Sequence, residues 1–354
     1  MKLSNTLRAS LLTLLCWSAT PGQAQTPSAP PDTRHHLAKT FTNPYDADHT
    51  GSLWGIFNAR FFSGEWQTYD RKRDIIATLP HEIVPAGEVE PRPTVTWLGH
   101  STLLLQHQGI NVLTDPMFSK YASPVAFAGP RRISAPAVNP NELPPIHIVV
   151  ISHNHYDHLD TPSIRALGNT PLYFVPLGLR RWFVSKGIDP DRVVEMDWWR
   201  AQRIEQPGGT ITITATPSQH FSGRSLTDRD RTLWASWAIN WSDFSAWFGG
   251  DTGYNNVQFK QIGEHFGGFD LGIIPIGAYK PRDFMRVVHV NPEEAVKIHK
   301  DINARQSMGM HWGTFVLSGE GVLTPVTDLA AARRQHQLDE AEFNVFAVGE
   351  TRRY

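Results

Sequence analysis

Cysteine is almost absent from this sequence: among 354 residues there is only one, Cys16, close to the amino terminus. A single thiol cannot close an internal disulfide, and it cannot supply the several thiolates of a structural zinc site. A metal bound by this chain must therefore be held by His, Asp and Glu side chains.

An excess of positive charge is also lacking. The chain has 33 Lys and Arg residues against 34 Asp and Glu residues, and the basic residues form no long run. Binding to nucleic acid depends largely on clustered basic side chains that neutralise phosphates. We therefore expect no nucleic-acid partner.

The apolar run near the amino terminus is too short to span a membrane, because residues 9–19 fall well below the roughly 20 residues that a spanning helix needs. The run follows a short basic start and precedes Gly22 and Ala24, which occupy positions −3 and −1 of a cleavage site. This layout predicts a signal peptide over residues 1–24 and export, to the periplasm. Cleavage would remove Cys16, two of the 33 basic residues and no acidic residue, which leaves a net charge near −3.

The remaining chain shows no internal repeat and no long linker. Residues 25–38 are rich in Pro, Ser and Thr at their start and are predicted to be a disordered lead-in. Residues 39–354 are interpreted as one domain, with an amino-terminal extension over residues 39–90. The extension contains an aromatic stretch at residues 54–69.

From about residue 93 onwards, short β-branched or apolar runs alternate with turns and amphipathic segments. Two groups of strands, each interrupted by helices, predict an α/β sandwich of two sheets with helices outside. Strands are predicted within residues 94–106, 109–118, 146–152, 170–178, 191–199, 210–220, 234–241, 245–251, 269–279, 304–312 and 343–350, and helices within 291–302 and 326–340. A further helix is predicted to have Thr161 as its N-cap, Pro162 in its first position and Gly168 as its stop.

Three histidines and an aspartate follow the predicted strand at 146–152: His153, His155, Asp157 and His158. In a strand, Asp157 and His158 would point to opposite faces, and in a helix residues two apart do not face each other. If all four side chains serve one site, the segment must therefore be a loop at the end of the strand.

Other predicted strands also end in a metal-binding residue type, namely His220, Asp251 and His311. Strand ends on one rim can build a site from distant segments. The count favours one metal held by His153, His155 and His220, a second held by Asp157, His158 and His311, and Asp251 shared between them. Nitrogen and oxygen ligands without sulfur suit zinc, so the predicted cofactor is two Zn²⁺ per chain, with Mn²⁺ or Fe²⁺ as alternatives.

Several of these residues also have an ordinary structural interpretation. Taken alone, His220 or His311 would be interpreted as a hydrogen-bonded structural histidine, and it is the cluster at 153–158 that changes this. His100 and Asp115 are expected to be structural rather than ligands. Asp160 is expected to cap a helix or to support the ligands.

At this point the motifs resemble a known family. The stretches "VTWLGHST", "ISHNHYDHLD", "TPSQH", "GGDTGY", "FDLGIIPIGAYKPRDFM" and "MGMHWGTF" occur in order. They are similar to the metallo-β-lactamase superfamily and, within it, to the N-acyl-phosphatidylethanolamine-hydrolysing phospholipase D family. The resemblance implies an αββα sandwich of two mixed sheets with helices on the outer faces, and it implies the same seven ligands.

The resemblance also implies a reaction, the hydrolysis of a glycerophospholipid phosphodiester by a hydroxide held between two zinc ions. Asp157 or Asp251 would relay a proton to the leaving alkoxide. His289 resembles a family position near the substrate phosphate, and its alternative interpretation is a structural residue before the probable helix N-cap Asn291.

A lipid substrate implies contact with a membrane surface. Residues 54–69 and 119–132 are candidates for lining or flanking the path to the metals, with Arg131 and Arg132 near lipid headgroups. The aromatic residues have ordinary core packing as their alternative interpretation. A homodimer is compatible with the sequence.

Two other classes of function remain open. One is a different exported hydrolase of the same fold: a lactonase, an amide hydrolase, or a sugar-phosphate or cyclic-nucleotide phosphodiesterase. The "GAYKPR" and "HWGTF" stretches favour the phospholipase over these. The other is a non-catalytic zinc- or lipid-binding module, against which the complete set of predicted ligands argues.

Overall fold

Two seven-stranded β-sheets make up most of the described protein. The computed structural model describes residues 33–45, 67, 69–206 and 209–354. The predicted signal peptide, the first part of the lead-in and nearly all of the aromatic stretch at 54–69 lie outside the described residues. None of the helices in the described ranges combines the length and hydropathy that crossing a bilayer requires.

The first sheet is built mainly from the first half of the described chain, in the order β14-β1-β2-β3-β4-β5-β6. Its strands from β14 to β3 pair antiparallel and those from β3 to β6 pair parallel. Its strands are β1 (Thr94–Gly99), β2 (Thr102–His107), β3 (Ile110–Thr114), β4 (Ile148–Val150), β5 (Leu172–Pro176), β6 (Val193–Met196) and β14 (Thr351–Arg353).

The second sheet has the order β13-β12-β11-β10-β9-β8-β7. It is antiparallel from β7 to β10 and parallel from β10 to β13. Its strands are β7 (Ala201–Gln206), β8 (Gly209–Thr216), β9 (Ser236–Asn240), β10 (Ser245–Phe248), β11 (Phe269–Pro275), β12 (Ala304–Met310) and β13 (Phe343–Val345).

Helices occur mostly in the parallel halves of the sheets, where a crossover must carry the chain back to the same end. Within the described ranges these are α1 (Thr161–Leu167), α2 (Arg180–Ser185), α3 (Gln258–Phe266), α4 (Arg282–Met285), α5 (Pro292–Asp301) and α6 (Thr324–His336), with 3-10 turns at Pro140–Glu142 and Pro190–Arg192.

The two sheets enclose one large apolar core, and a smaller core lies on the outer face of the first sheet. Strand β4 contributes to both, because Ile148 and Val150 belong to the large core while Val149 belongs to the smaller one. Trp237 of β9 crosses the large core and donates from Nε1 to the Ile151 carbonyl, 3.0 Å away. The αββα sandwich that the sequence predicts is therefore confirmed.

Some details differ from the sequence prediction. Helix α1 begins one residue earlier than predicted: Asp160 is its N-cap, with a side chain that accepts from the Ser163 backbone, and Thr161 is its first residue. A carboxylate accepts a cap hydrogen bond readily, and the negative charge also suits the helix N-terminus. This agrees with the expected capping role of Asp160. Strands β7 and β14 and helices α2, α3 and α4 were not predicted.

Candidate metal centre

All the predicted ligands follow strands that end at the same edge of the sandwich. The loop containing His153, His155, Asp157 and His158 follows β4, His220 lies four residues beyond β8, Asp251 three beyond β10, and His311 directly follows β12. The turn before Asp251 requires glycine at position 250: φ there is 57°, and a Cβ would lie 2.4 Å from the Ser152 Cβ.

Three histidine nitrogens converge in the first set. Nε2 of His153 lies 2.8 Å from Nδ1 of His155, which lies 3.3 Å from Nε2 of His220. The three atoms are close enough to contact one metal ion. His155 therefore presents its Nδ1 and the other two histidines present Nε2.

The second set combines two histidines with a carboxylate. Nε2 of His158 lies 3.4 Å, and Nε2 of His311 3.3 Å, from Oδ2 of Asp157. The two imidazole rings are nearly parallel, with centroids 5.2 Å apart.

Asp251 lies between the two sets. Its Oδ2 is 3.0 Å from Nε2 of His158 and 3.8 Å from Nε2 of both His153 and His220. Its Oδ1 is 3.2 Å from Nε2 of His311. This is the position that a ligand shared by two metals must occupy. The structure thus brings together all the residues predicted as ligands, and their binding of metal stays a prediction.

Four buried polar atoms of the predicted ligands make no hydrogen bond of acceptable geometry: Nε2 of His158, Nδ1 and Nε2 of His311, and Oδ1 of Asp251. Buried polar atoms are normally hydrogen-bonded, since leaving them unpaired is costly. Metal coordination would satisfy Nε2 of His158, Nε2 of His311 and Oδ1 of Asp251. Because the donors are imidazole nitrogens and carboxylate oxygens, the set fits zinc.

The histidines of the first set are neutral at physiological pH. Burial lowers the pKa of His155 to about 4 and that of His220 to about 3, against the opposing effect of nearby carboxylates. Burial, together with the neighbouring histidines, also holds the pKa of His153 well below its ordinary range. A neutral imidazole has the free lone pair that a metal requires.

For the two carboxylates, and for His158 and His311, neighbouring charges outweigh the effect of burial on the pKa. Burial raises the pKa of the Asp157 and Asp251 carboxyls, but the adjacent histidines, His158 first, outweigh it and hold both well below the ordinary range. Burial lowers the pKa of His158 and His311, but Asp251 and Asp157 raise that of His158 well above its usual value and that of His311 to about 9. The two carboxylates are therefore ionised, and they stabilise positive charge at this point.

Several rings of the predicted ligands are oriented by hydrogen bonds to Nδ1, the ring nitrogen that does not face the metal centre. Oδ2 of Asp115 lies 2.7 Å from Nδ1 of His158, and Ser152 Oγ lies 2.9 Å from Nδ1 of His153. Nδ1 of His220 lies 2.9 Å from the Val288 carbonyl. Such contacts fix the ring nitrogen that faces the metal. Asp115 thus contacts a predicted ligand directly, and this agrees with the expectation that it is structural rather than a ligand.

His100 lies closer to the centre than the sequence suggested. Its Nε2 is 3.0 Å from Oδ2 of Asp157, and its ring centroid is 4.1 Å from that of His311. Its backbone carbonyl accepts from the His311 N–H at 3.2 Å. His100 therefore supports two members of the second set.

His289 lies beside the centre and contacts both sets. Its ring centroid is 5.2 Å from that of His220 and 5.5 Å from that of His311. Its Nδ1 is buried without a hydrogen-bond partner, and burial lowers its pKa to about 3. His289 also lies two residues before Asn291, which is the N-cap of α5, so the alternative interpretation as a structural residue at the helix entry stays open. Its role in catalysis stays a prediction.

A cavity of about 490 Å³ adjoins the loop 153–158, which we call the metal loop. Its walls include Tyr156, Trp182 and the cationic residues Lys120, Lys186 and Arg224. The Arg224 guanidinium lies 4.0 Å from the Tyr156 ring centroid, and it donates to the carbonyls of Asn154 and Leu159. Sequence reasoning missed this arginine because no local pattern relates it to the loop that it supports.

The segment 119–132 borders this cavity, but its two arginines differ. Arg131 is exposed. Arg132 points inward, donates to the carbonyls of Met117 and Ser119, and lies over the Phe315 ring with 5.0 Å to its centroid. Burial lowers the Arg132 pKa to about 10. The expectation that Arg132 lies near lipid headgroups is therefore not supported by its contacts.

The fold and the candidate ligand set define a metal-dependent hydrolase with the metallo-β-lactamase fold. A family model described as Beta-lactamase superfamily domain matches residues 110–312. The chain is 40% identical over 290 residues to N-acyl-phosphatidylethanolamine-hydrolyzing phospholipase D 1 of Caenorhabditis elegans, which covers 78% of this chain and 81% of the relative. The chain belongs to the β-lactamase superfamily and, within it, to the N-acyl-phosphatidylethanolamine-hydrolysing phospholipase D family.

Further similarities agree with this placement. The mitochondrial N-acyl-phosphatidylethanolamine-hydrolyzing phospholipase D of Saccharomyces cerevisiae is 40% identical over 234 residues, which is 65% of this chain and 49% of the relative. The isothiocyanate hydrolase from Delia radicum gut bacteria superposes with a TM-score of 0.58 at 19% identity, covering 74% of this chain and 99% of that one. At such low identity the structural likeness concerns the fold alone.

Proposed function

We propose that this protein is a zinc-dependent phosphodiesterase of the phospholipase D type that hydrolyses a glycerophospholipid such as N-acyl-phosphatidylethanolamine. The observation that carries the proposal is the position of Asp251, whose carboxylate lies within 3.8 Å of histidine nitrogens from both groups of ligands. A carboxylate shared in this way is expected for a pair of metals that act together on one phosphate.

The first zinc would be held by His153, His155 and His220, the second by Asp157, His158 and His311, and both by Asp251. Two zinc ions so held would supply a water of lowered pKa and positive charge beside the phosphate oxygens. The single thiol in the sequence, that of Cys16, lies in the predicted signal peptide.

Side chains of the protein would transfer the proton that the leaving alkoxide needs. Asp157 and Asp251 are ionised by the histidines around them, so either carboxylate can accept a proton and pass it to the leaving alkoxide. His100 holds Oδ2 of Asp157 at 3.0 Å and thereby orients that carboxylate. His289 has an unpaired Nδ1 beside the centre, where it can hydrogen-bond a phosphate oxygen of the substrate.

Peripheral contact with a membrane is part of the proposal. Among the described residues, the two most exposed large apolar side chains are Leu226 at 94% and Phe127 at 80%. Both lie next to wall residues of the 490 Å³ cavity, since Phe127 follows Ala126 and Leu226 is two residues beyond Arg224. Exposed apolar side chains beside a cavity lined by cations suit the interface of an anionic bilayer. We also propose export to the periplasm.

Purified full-length protein, loaded with zinc, should be assayed on four compounds: N-acyl-phosphatidylethanolamine, phosphatidylethanolamine, bis-p-nitrophenyl phosphate and a β-lactam. We expect chelator-sensitive turnover of the phosphodiesters, with N-acylethanolamine and phosphatidic acid as lipid products. Asp251→Asn should lower turnover by orders of magnitude while the protein stays folded. Turnover of the β-lactam alone would instead indicate another hydrolase of this fold, and no turnover at all would overturn the enzymatic proposal.

A further inference from the structure

The amino-terminal segment 33–45 reaches the metal centre through one side chain. Nδ2 of Asn43 donates to the His220 carbonyl at 2.8 Å, and the His220 N–H donates to Oδ1 of Asn43 at 3.1 Å. Asn43 is only 9% exposed, and it is 177 residues away from His220 in the sequence. A single amide thus satisfies both backbone polar groups of a predicted ligand.

His220 depends on such contacts because of where it lies. It is four residues beyond the end of β8, where the strand ladder no longer pairs its backbone. Its ring is held separately, by the contact between Nδ1 and the Val288 carbonyl at 2.9 Å. Backbone and ring are therefore fixed from two sides, and Nε2 points towards Asp251 and His155.

Asn43 is itself held in place by its own segment. Thr42 donates to the His35 carbonyl at 2.9 Å, and Phe41 donates to the Asp230 carbonyl at 2.8 Å. Pro44 follows, and a proline disfavours helical backbone in the residue before it. Because these contacts already fix the backbone around Asn43, less conformational entropy is lost when its amide makes the two hydrogen bonds to His220.

The segment is anchored at its start by a pair of histidines. Nε2 of His35 and Nε2 of His36 lie 2.7 Å and 2.8 Å from the two carboxylate oxygens of Asp197. The spacing of these three side chains would also allow a metal ion. Each histidine Nε2, however, already lies within hydrogen-bonding distance of its own Asp197 oxygen. We therefore interpret the group as a hydrogen-bonded anchor.

We propose that Asn43 is a positioning residue for His220, so that segment 33–45 helps to build the metal centre. The proposal rests on His220 being a metal ligand, as the proposed function requires. Without the Asn43 amide, the His220 backbone loses both partners and its ring is held only by Val288. The ion bound by His153, His155 and His220 should then weaken, and the ion bound by Asp157, His158 and His311 should remain.

The test is Asn43→Ala in the full-length protein, with bound zinc per chain measured by elemental analysis and affinity measured by competition with a chelator. We expect one of the two ions to bind about 10–100-fold more weakly, the usual effect of removing a residue that orients a ligand. On bis-p-nitrophenyl phosphate, kcat should fall while KM changes little. Two ions bound with wild-type affinity would overturn the proposal.

Asn111→Ala is the matched control. Asn111 is also 9% exposed, and its amide likewise makes two hydrogen bonds, donating to the Pro145 carbonyl at 2.8 Å and accepting from Gln106 at 3.1 Å. It should lose stability but keep both ions. Equal loss of zinc in the two variants would show a general effect of destabilisation and would also overturn the proposal.

Asn43→Asp keeps the proposal testable if Asn43→Ala does not fold. An aspartate can still accept from the His220 N–H but cannot donate to the His220 carbonyl, so zinc affinity should fall between the wild-type value and that of Asn43→Ala. An Asn43→Asp protein with wild-type affinity for both ions would contradict the proposal. Because these measurements need no substrate, a wild type that binds two ions but hydrolyses no lipid would refute the proposed substrate and leave this inference standing.

Discussion

Oδ2 of Asp115 lies 2.7 Å from Nδ1 of His158, and neither side chain is exposed to solvent. Ser152 donates to the same carboxylate from its backbone N–H and its hydroxyl. With Nδ1 engaged by Asp115, His158 must present Nε2 to the metal centre. Asp115 also stabilises positive charge on His158, because it is one of the carboxylates that raise the histidine's pKa against the effect of burial.

Asp115→Asn should therefore weaken one of the two metal sites. The amide has a single oxygen for three donors, so His158 or Ser152 loses its acceptor and the imidazole loses its fixed orientation. We expect about 10–100-fold weaker binding of one ion, measured as zinc per chain after dialysis against a weak chelator. Asp243→Asn is the control, since Asp243 also pairs with a histidine, His107 at 2.8 Å, but its carboxylate is exposed. Loss of zinc in neither variant would refute the role of Asp115.

The hydrogen bond from Trp237 to the Ile151 carbonyl should contribute to stability. Trp237→Phe keeps an aromatic ring but leaves that buried carbonyl unpaired. Trp241 is a matched control because its Nε1 is buried without a hydrogen-bond partner, so Trp241→Phe removes no hydrogen bond. We expect Trp237→Phe to lower the free energy of unfolding by about 1–3 kcal/mol more than Trp241→Phe does. Urea unfolding gives both values, and equal losses would contradict the prediction.

The proposed membrane contact predicts a separation between soluble and lipid substrates. Phe127→Ser combined with Leu226→Ser should weaken binding to anionic phospholipid vesicles by about tenfold or more, since two exposed apolar side chains are lost. Hydrolysis of bis-p-nitrophenyl phosphate should be unchanged. Ile75→Ser, at a residue that is 71% exposed and does not line the cavity, should have no effect on vesicle binding. Unchanged sedimentation of the double variant with vesicles would exclude this surface.

The anchor of the amino-terminal segment should be sensitive to acid. Burial raises the pKa of Asp197, but the hydrogen bonds and charges of His35 and His36 outweigh it and lower that pKa below the ordinary value of 3.8. A carboxyl with a depressed pKa stabilises the fold above its unfolded-state pKa, and this stabilisation is lost as the pH falls through the folded-state pKa. Wild type should therefore exceed Asp197→Asn in stability at neutral pH, and the difference should shrink below pH 3.8.

Urea unfolding midpoints at about pH 7, about pH 5 and about pH 3 would measure this change. The exposed residue Asp191 provides a control, and Asp191→Asn should differ little from wild type at any of these values. A wild-type advantage over Asp197→Asn that grows towards acid pH would contradict the assignment.

The sequence predicted most of the fold because its signals are local. Strand β4 is a short apolar run followed by polar residues, and helix α5 starts with Asn291, Pro292 and Glu294, a capping box that needs only four neighbouring positions. Helix α3 was missed because its N-cap position is Val257, which makes no side-chain cap, and the side chain that accepts from its first backbone N–H, Asn255, lies two residues earlier. Helix α2 likewise begins after Leu179, and its first N–H donates to Glu195, which is 15 residues away.

The candidate ligands could be found because each one directly follows, or lies a few residues beyond, a recognisable strand. The residues that hold these ligands in place could not be found from the sequence. Asn43 and His220 are 177 residues apart, and Arg224 reaches carbonyls of the metal loop from about 70 residues away. Such contacts join a side chain to a backbone group, and backbone groups leave no mark in the amino-acid sequence. His100 was underestimated for a related reason, since its contact with Asp157 depends on how two loops approach each other.

The candidate ligands are divided between the two layers of the sandwich: the loop with His153 follows a strand of the first sheet, while His220, Asp251 and His311 follow strands of the second. Ions bound there would cross-link the layers and thus the two successive portions of the polypeptide that build them. Because ions that bind only the native state shift the folding equilibrium by mass action, scarcity of zinc would shorten the lifetime of the intact molecule as well as slow its chemistry.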